Sequence, residues 1–371
     1  MADSSAWKKY LYRFLFLGFL IGFGIYIRSL YLPPPAPVLL TLPPANPASD
    51  GSYPELLIHY APAGSGHPPF EVSYTRNSPS LTHDSPVNQF EVNLSSGKLI
   101  VRQTDLFDAR AIPISLTRTY DSFSSKTQSF GFGASQPYDV YPTGSRYPYT
   151  YIDLELEDGE SVHFERISKG VGYADAVYEH RATSSREFFG ARIHWNGDGW
   201  SLSLPDGSTF VFPESYSAKT PAQAAIKEIR SATGERIEVH RSRNGEIESV
   251  VSSSGHRIDF SRDDSDRISG ARNDLGAGRE YTYDFEGRLA AVSDANSILY
   301  QFGYVDGLMT RFMDGSGNEI LGIAYDRGRV AKVQLAGGDM YRITYDIDSQ
   351  NHVVLTDVLG PDGTTKEFRF N

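Results

Sequence analysis

The chain has 371 residues and carries 46 Asp and Glu against 35 Lys and Arg, a formal charge of -11. That balance argues against a nucleic-acid partner, which needs clustered Lys and Arg for phosphate, and the lack of Cys excludes disulfides and thiol catalysis. With 34 Gly, 21 Pro and 13% aromatic residues, and hardly any helical periodicity beyond the N-terminus, the composition points to a β-rich body.

Residues 14–27, FLFLGFLIGFGIYI, are uncharged, and the apolar stretch extends over residues 10–32 if Arg13 and Arg28 snorkel toward head groups. At 1.5 Å per residue it reaches roughly 34 Å, enough to cross the hydrocarbon. A cleaved signal peptide is the rival reading. It wants small residues straight after the apolar core, where Arg28, Leu30, Tyr31 and three prolines stand, so the segment is read as an uncleaved signal anchor. Lys8, Lys9 and Arg13 precede the span, and after Arg28 no Lys or Arg appears until Arg76. The positive-inside bias then keeps residues 1–9 in the cytoplasm and puts the body outside, periplasmic or extracellular, on a single pass of the cytoplasmic membrane. Residues 33–86 hold 13 of the 21 prolines and read as a semi-rigid tether. Its one apolar run, residues 55–60, is expected to add a short strand to the body.

Residues 87–213 alternate strands and turns, the pattern of a β domain. Ile152, Leu154 and Leu156 share one face of a strand and Asp153, Glu155 and Glu157 the other, ahead of an Asp158-Gly159 turn; the acidic face is expected to be solvated. Trp195 and Trp200 flank the Asn196-Gly197 turn, where they can stack on sugar rings or pack across the hairpin.

Residues 214–371 repeat. Tyr283-Asp284, Tyr304-Val305-Asp306, Tyr325-Asp326 and Tyr345-Asp346 place the tyrosines 21, 21 and 20 residues apart. Each unit alternates aromatic and β-branched residues up to the Tyr, after which Asp and Gly supply turn chemistry. Five positions beyond Gly245, Gly287, Gly307 and Gly328 stand Val250, Val292, Phe312 and Val333, which fixes the register of the return strand. Upstream, Val239 and Phe260 are read in the Tyr slot, making about six hairpins over residues 234–357, and residues 226–230 are read as a strand.

These units resemble the YD repeats of RHS (rearrangement hot spot) proteins. Residues 87–140 are similar to the domain that opens the RHS shell, through Asn93 to Leu99, Leu116 to Tyr120, and Phe130-Gly131-Phe132-Gly133, with Ala134 where that family usually has Trp. The resemblance implies an all-β chain of tandem antiparallel hairpins forming a continuous curved strip, a partial RHS shell, here preceded by one transmembrane helix. In the family such shells often enclose a C-terminal toxin domain. This chain instead ends at TTKEFRFN, which reads as the first strand of a further hairpin.

No Gly-x-Ser-x-Gly elbow is present, and the nine His are scattered singly without metal-ligand spacing. Asp314 to Glu319 reads as a polar turn rather than a calcium loop. The expectation is therefore a protein that is not an enzyme, without catalytic residues, cofactor or metal. Its expected role is a membrane-anchored, extracytoplasmic, non-catalytic YD-repeat scaffold that binds envelope glycans or partner proteins, with Trp195 and Trp200 as ligand-stacking candidates. The alternative is a remnant or subunit of an RHS-type toxin-delivery shell, in which another chain adds strands at the edge formed by residues 368–371.

Overall fold

Short antiparallel strands closed by tight turns account for nearly all of the computed structural model, which describes residues 53–60, 70–77, 86–109, 113–182 and 187–370. The expected membrane span, and the parts of residues 33–86 beyond 53–60, 70–77 and 86, lie outside these. No helix among the described residues is long and apolar enough to cross a membrane. The helical pieces among them are single turns, Pro137–Asp139 and Pro221–Ala224.

A strip of 21 strands runs from Tyr141–Gly144 to Thr365–Arg369. Each strand is antiparallel to its neighbour in sequence, so every connection is a hairpin. The strand order is that of a closed barrel, and the ladders between sequence neighbours carry the sheet. It passes unbroken through residues 213 and 214, because Thr209–Pro213 pairs with Glu228–Arg230, which pairs in turn with Arg236–Arg241.

A second, six-stranded sheet has the order Phe70–Asn77, Tyr53–Tyr60, Asn88–Asn93, Leu99–Asp108, Ile114–Asp121, Ala134–Ser135. Two of its strands come from the stretch that proline content assigned to the tether. Leu56 and Ile58 are fully buried there, and that burial outweighs the surrounding Pro.

This inner sheet touches both ends of the strip. Lys98 Nζ lies 2.6 Å from Glu160 in the second hairpin turn of the strip, and Tyr74 stacks at 5.6 Å on Phe368 in its last strand. Between them Phe90 meets Phe312 at 5.1 Å and Phe130 meets Tyr281 at 4.9 Å. The strip therefore curves round the inner sheet, and the two share one hydrophobic core.

Charges are built into that core. Arg118 Nε lies 2.5 Å from Asp105, which also accepts a hydrogen bond of 2.9 Å from the Tyr281 hydroxyl of the strip. Arg102 pairs with Glu91 and lies 2.5 Å from Asp158. Glu157 is 3% exposed, with Arg102 Nε at 4.0 Å. The acidic face expected in solvent is thus solvated only in part: its last carboxylate is turned inward because the inner sheet supplies a guanidinium.

Candidate functional site

The repeat tyrosines act as clamps. The Tyr283 hydroxyl donates to the Ile268 carbonyl at 2.5 Å, Tyr304 to Leu289 at 2.9 Å, Tyr325 to Met309 at 2.8 Å and Tyr345 to Val330 at 2.8 Å. Each reaches back to the first or second residue of the return strand of the preceding hairpin. A β-bulge directly precedes Tyr283, Tyr304 and Tyr325, and bends the strand so that the ring swings across. Burial holds these hydroxyls well above the usual tyrosine pKa, so they remain donors.

The same register continues upstream with a different side chain. Arg241 Nε donates to the Ile226 carbonyl at 3.2 Å and Arg262 Nη2 to the Ile247 carbonyl at 2.9 Å, again behind bulges. Arg241 and Arg262 occupy the Tyr slot. This corrects the reading of Val239 and Phe260 there, which followed hydrophobicity and missed the slot by two positions.

Four of the clamped residues also bond the inner sheet or the loops attached to it. The amide of Ile226 donates to the Val140 carbonyl at 3.0 Å, Ile268 to Ser129 at 2.9 Å, and Val330 to Gly97 at 2.9 Å. Met309 donates at 3.0 Å to the hydroxyl of Tyr120. Four of the six clamped positions therefore fasten two neighbours, their carbonyls held by the next hairpin and their amides by residues 140, 129, 120 and 97.

The repeat aspartates divide by turn type. The Asp284 carboxylate accepts from the amides of Glu286 at 3.1 Å and Arg288 at 2.9 Å. Asp306 takes φ 51° in a two-residue turn with Gly307. Asp326 pairs with Arg329 at the end of its ladder. Asp346 precedes the turn, in which Asp348 does the capping.

At the other end of the strip, aromatic side chains line a cavity of about 400 Å³. Tyr149 meets Tyr216 at 5.6 Å and Tyr147 at 5.8 Å, and the Arg146 guanidinium lies 3.9 Å over the Tyr216 ring. Trp195 and Trp200 stand directly opposite each other and touch edge to face at 5.3 Å. Trp200 is 4% exposed and lines the cavity; Trp195 is half-buried and packs on Tyr173 at 5.0 Å. Tyr178 also lines it, fully buried, and its hydroxyl has no hydrogen-bond partner among the described residues. Burial pushes that hydroxyl up to about 12, so it is a donor at every physiological pH. A wall of rings beside a stranded donor suits a ligand with one flat apolar face and a hydroxyl rim.

His256, Asp108 and Asp274 lie with their ligand atoms within 4.8 Å of one another. The His256 imidazole is 3.1 Å from Asp274 and 3.7 Å from Asp108. One carboxylate belongs to the inner sheet and the other two groups to strip hairpins, so no spacing in the sequence could have signalled the cluster.

Hairpins clamped in series round an inner sheet define a β-shell protein. Residues 226–370 match the family model for the teneurin YD-shell, and residues 90–164 match that for a domain of unknown function, DUF6531. The chain belongs to the RHS/YD-repeat family. It is 27% identical over 292 residues to a probable deoxyribonuclease, RhsB, of Dickeya dadantii (strain 3937), which covers 76% of this chain and 19% of that protein. A double-stranded DNA deaminase toxin A of Burkholderia cenocepacia (strain H111) is 33% identical over 95 residues, 24% of this chain and 6% of the other. The chain thus spans about a fifth of the first relative's length. Among solved structures, the Photorhabdus luminescens Tc holotoxin pore aligns with a TM-score of 0.30 and 11% identity over 85% of this chain and 18% of that one.

Proposed function

We propose that the protein is a non-catalytic shell scaffold, anchored in the cytoplasmic membrane through residues 10–32, with a β body outside that presents its aromatic cavity to an envelope saccharide. The observation that carries the saccharide reading is the cavity itself, lined by Tyr149, Tyr216 and Trp200 together with Tyr178, whose hydroxyl has no partner among the described residues. Sugar rings offer an apolar face for such rings and hydroxyls for such a donor. The scaffold reading is supported by the strip's inner face, which is taken up by the chain's own inner sheet rather than by a catalytic cleft.

The test uses the full chain. Two of its three Trp stand beside or in the cavity, so titration with soluble peptidoglycan fragments or polysaccharide should change the Trp emission, and Tyr216→Ala should weaken that response at least tenfold. No spectral response and no retention on insoluble peptidoglycan would dispose of the saccharide reading.

A second reading, a segment of a toxin-delivery shell, is favoured by the relatives' much greater length. In that case the purified chain would assemble with a further chain that adds strands, and its mass in solution would rise in that chain's presence.

A further inference from the structure

The change from Tyr to Arg in the first two clamps alters more than a hydrogen bond. Arg241 and Arg262 both line a cleft of about 450 Å³ where the segment of residues 126–129, attached to the inner sheet, meets the strip. Both are half-buried, and neither has a carboxylate within ion-pair distance among the described residues. Their donors go to neutral carbonyls: Arg241 to Ile226, Gly245 and Tyr138, Arg262 to Ile247 and Asp266. A tyrosine holds such a carbonyl without bringing a charge, as four later repeats do.

Asp139 is the acid that acts most strongly on both guanidiniums, without touching either. Asp139 accepts from Ser129 Oγ at 2.7 Å and from the Gln136 amide at 3.2 Å, and burial pushes its carboxyl upward, toward the neutral form. Burial, with a smaller push from Arg262 and against the pull of Asp139 and Glu246, brings Arg241 down to about 10. Glu246 and Asp266 also line the cleft and act on the pair from beyond ion-pair distance; two half-buried cations with no counter-ion in direct contact are costly unless an anion joins them. Ser129 and Thr127 add hydroxyls at the rim of the same cleft.

We propose that this cleft is an oxyanion site, in which Arg241 and Arg262 hold a phosphate group or a carboxylate between residues 126–129 and the strip. Guanidinium planes offer paired donors that match either group. The proposal is independent of the saccharide reading, since the two cavities have separate walls apart from Tyr141, Thr220 and Pro221.

The experiment measures thermal unfolding of the full chain in sodium phosphate, sodium acetate and sodium chloride at matched ionic strength. The midpoint should rise with phosphate or acetate above the chloride value, and the better of the two identifies the group. In Arg241→Tyr with Arg262→Tyr the clamps are restored to the form used downstream while both charges are gone. That variant should unfold cooperatively and lose the anion-dependent rise. An undiminished rise in it would overturn the proposal. So would a wild-type chain that responds to phosphate and acetate only as it does to chloride, whatever the variant does.

Discussion

Replacing Tyr304 by Phe removes one oxygen atom and isolates the clamp from the ring. The hydroxyl donates 2.9 Å to the Leu289 carbonyl. Losing a hydrogen bond of this kind and leaving its acceptor short of a partner costs about 1–3 kcal/mol. Phe keeps the edge contact with Tyr120 at 6.1 Å and the Arg288 guanidinium at 4.8 Å, so the penalty of about 3–5 kcal/mol for truncating a core aromatic does not apply. In a domain of this size 1 kcal/mol moves the midpoint by about 2–4 °C. Thermal unfolding of the full chain should therefore shift down by about 2–12 °C. Tyr151→Phe, at a ring 37% exposed, is the control and should change stability by less than about 0.5 kcal/mol. If Tyr304→Phe unfolds where Tyr151→Phe does, the clamp contributes nothing. If it falls as far as Tyr304→Ala, the ring contributes nothing beyond its hydroxyl and the packing ascribed to the Tyr slot is wrong.

Gly131 has φ 85°, and a Cβ there would sit 2.2 Å from the Gly287 carbonyl. Gly131→Ala should cost several kcal/mol by prising the short hairpin of residues 127–132 off the strip, read as a loss of near-UV signal at unchanged far-UV signal. Arg102→Leu leaves Glu91, Glu157 and Asp158 without their guanidinium and should destabilise the chain by about 3–5 kcal/mol in urea unfolding; a neutral result would mean that these carboxylates are protonated or hydrated. Burial, opposed by Lys98, pushes Asp121 up to about 6 from its ordinary 3.8. The folded state thus binds this proton more tightly than the unfolded one, so stability falls as pH rises through 4 to 6, on the order of 3 kcal/mol in total. Asp121→Asn should flatten that slope, and a slope of unchanged size would assign it to other groups.

The strip was legible because its signals are local. Tyr spacing, Asp and Gly turns and the apolar residue five positions past each Gly fix hairpins within some twenty residues, and Val250, Val292, Phe312 and Val333 are indeed buried. What the tyrosines do was not legible, since the hydroxyl bonds a carbonyl in another hairpin. Arg241 and Arg262 escaped for a related reason: a guanidinium can make the same bond as a phenol, yet it shares no hydrophobic signal with it, so apolar neighbours two positions earlier drew the alignment. The inner sheet's demands were equally invisible. Glu157 looks like a solvated strand residue until Arg102, distant in sequence, lies beside it. The aromatic cavity was legible only in Trp195 and Trp200, because Tyr149, Tyr178 and Tyr216 are brought together by three different connections.

Hydrogen exchange at four amides tests the architecture most directly. Ile226, Ile268, Met309 and Val330 donate to residues 140, 129, 120 and 97, in the inner sheet or the loops attached to it. In the full chain they should exchange as slowly as the ladder amides of Val292 and Val333, all opening in one cooperative unit. Rapid exchange at these four with the ladders still protected would mean that the strip stands without its inner sheet, contrary to the wrapped arrangement.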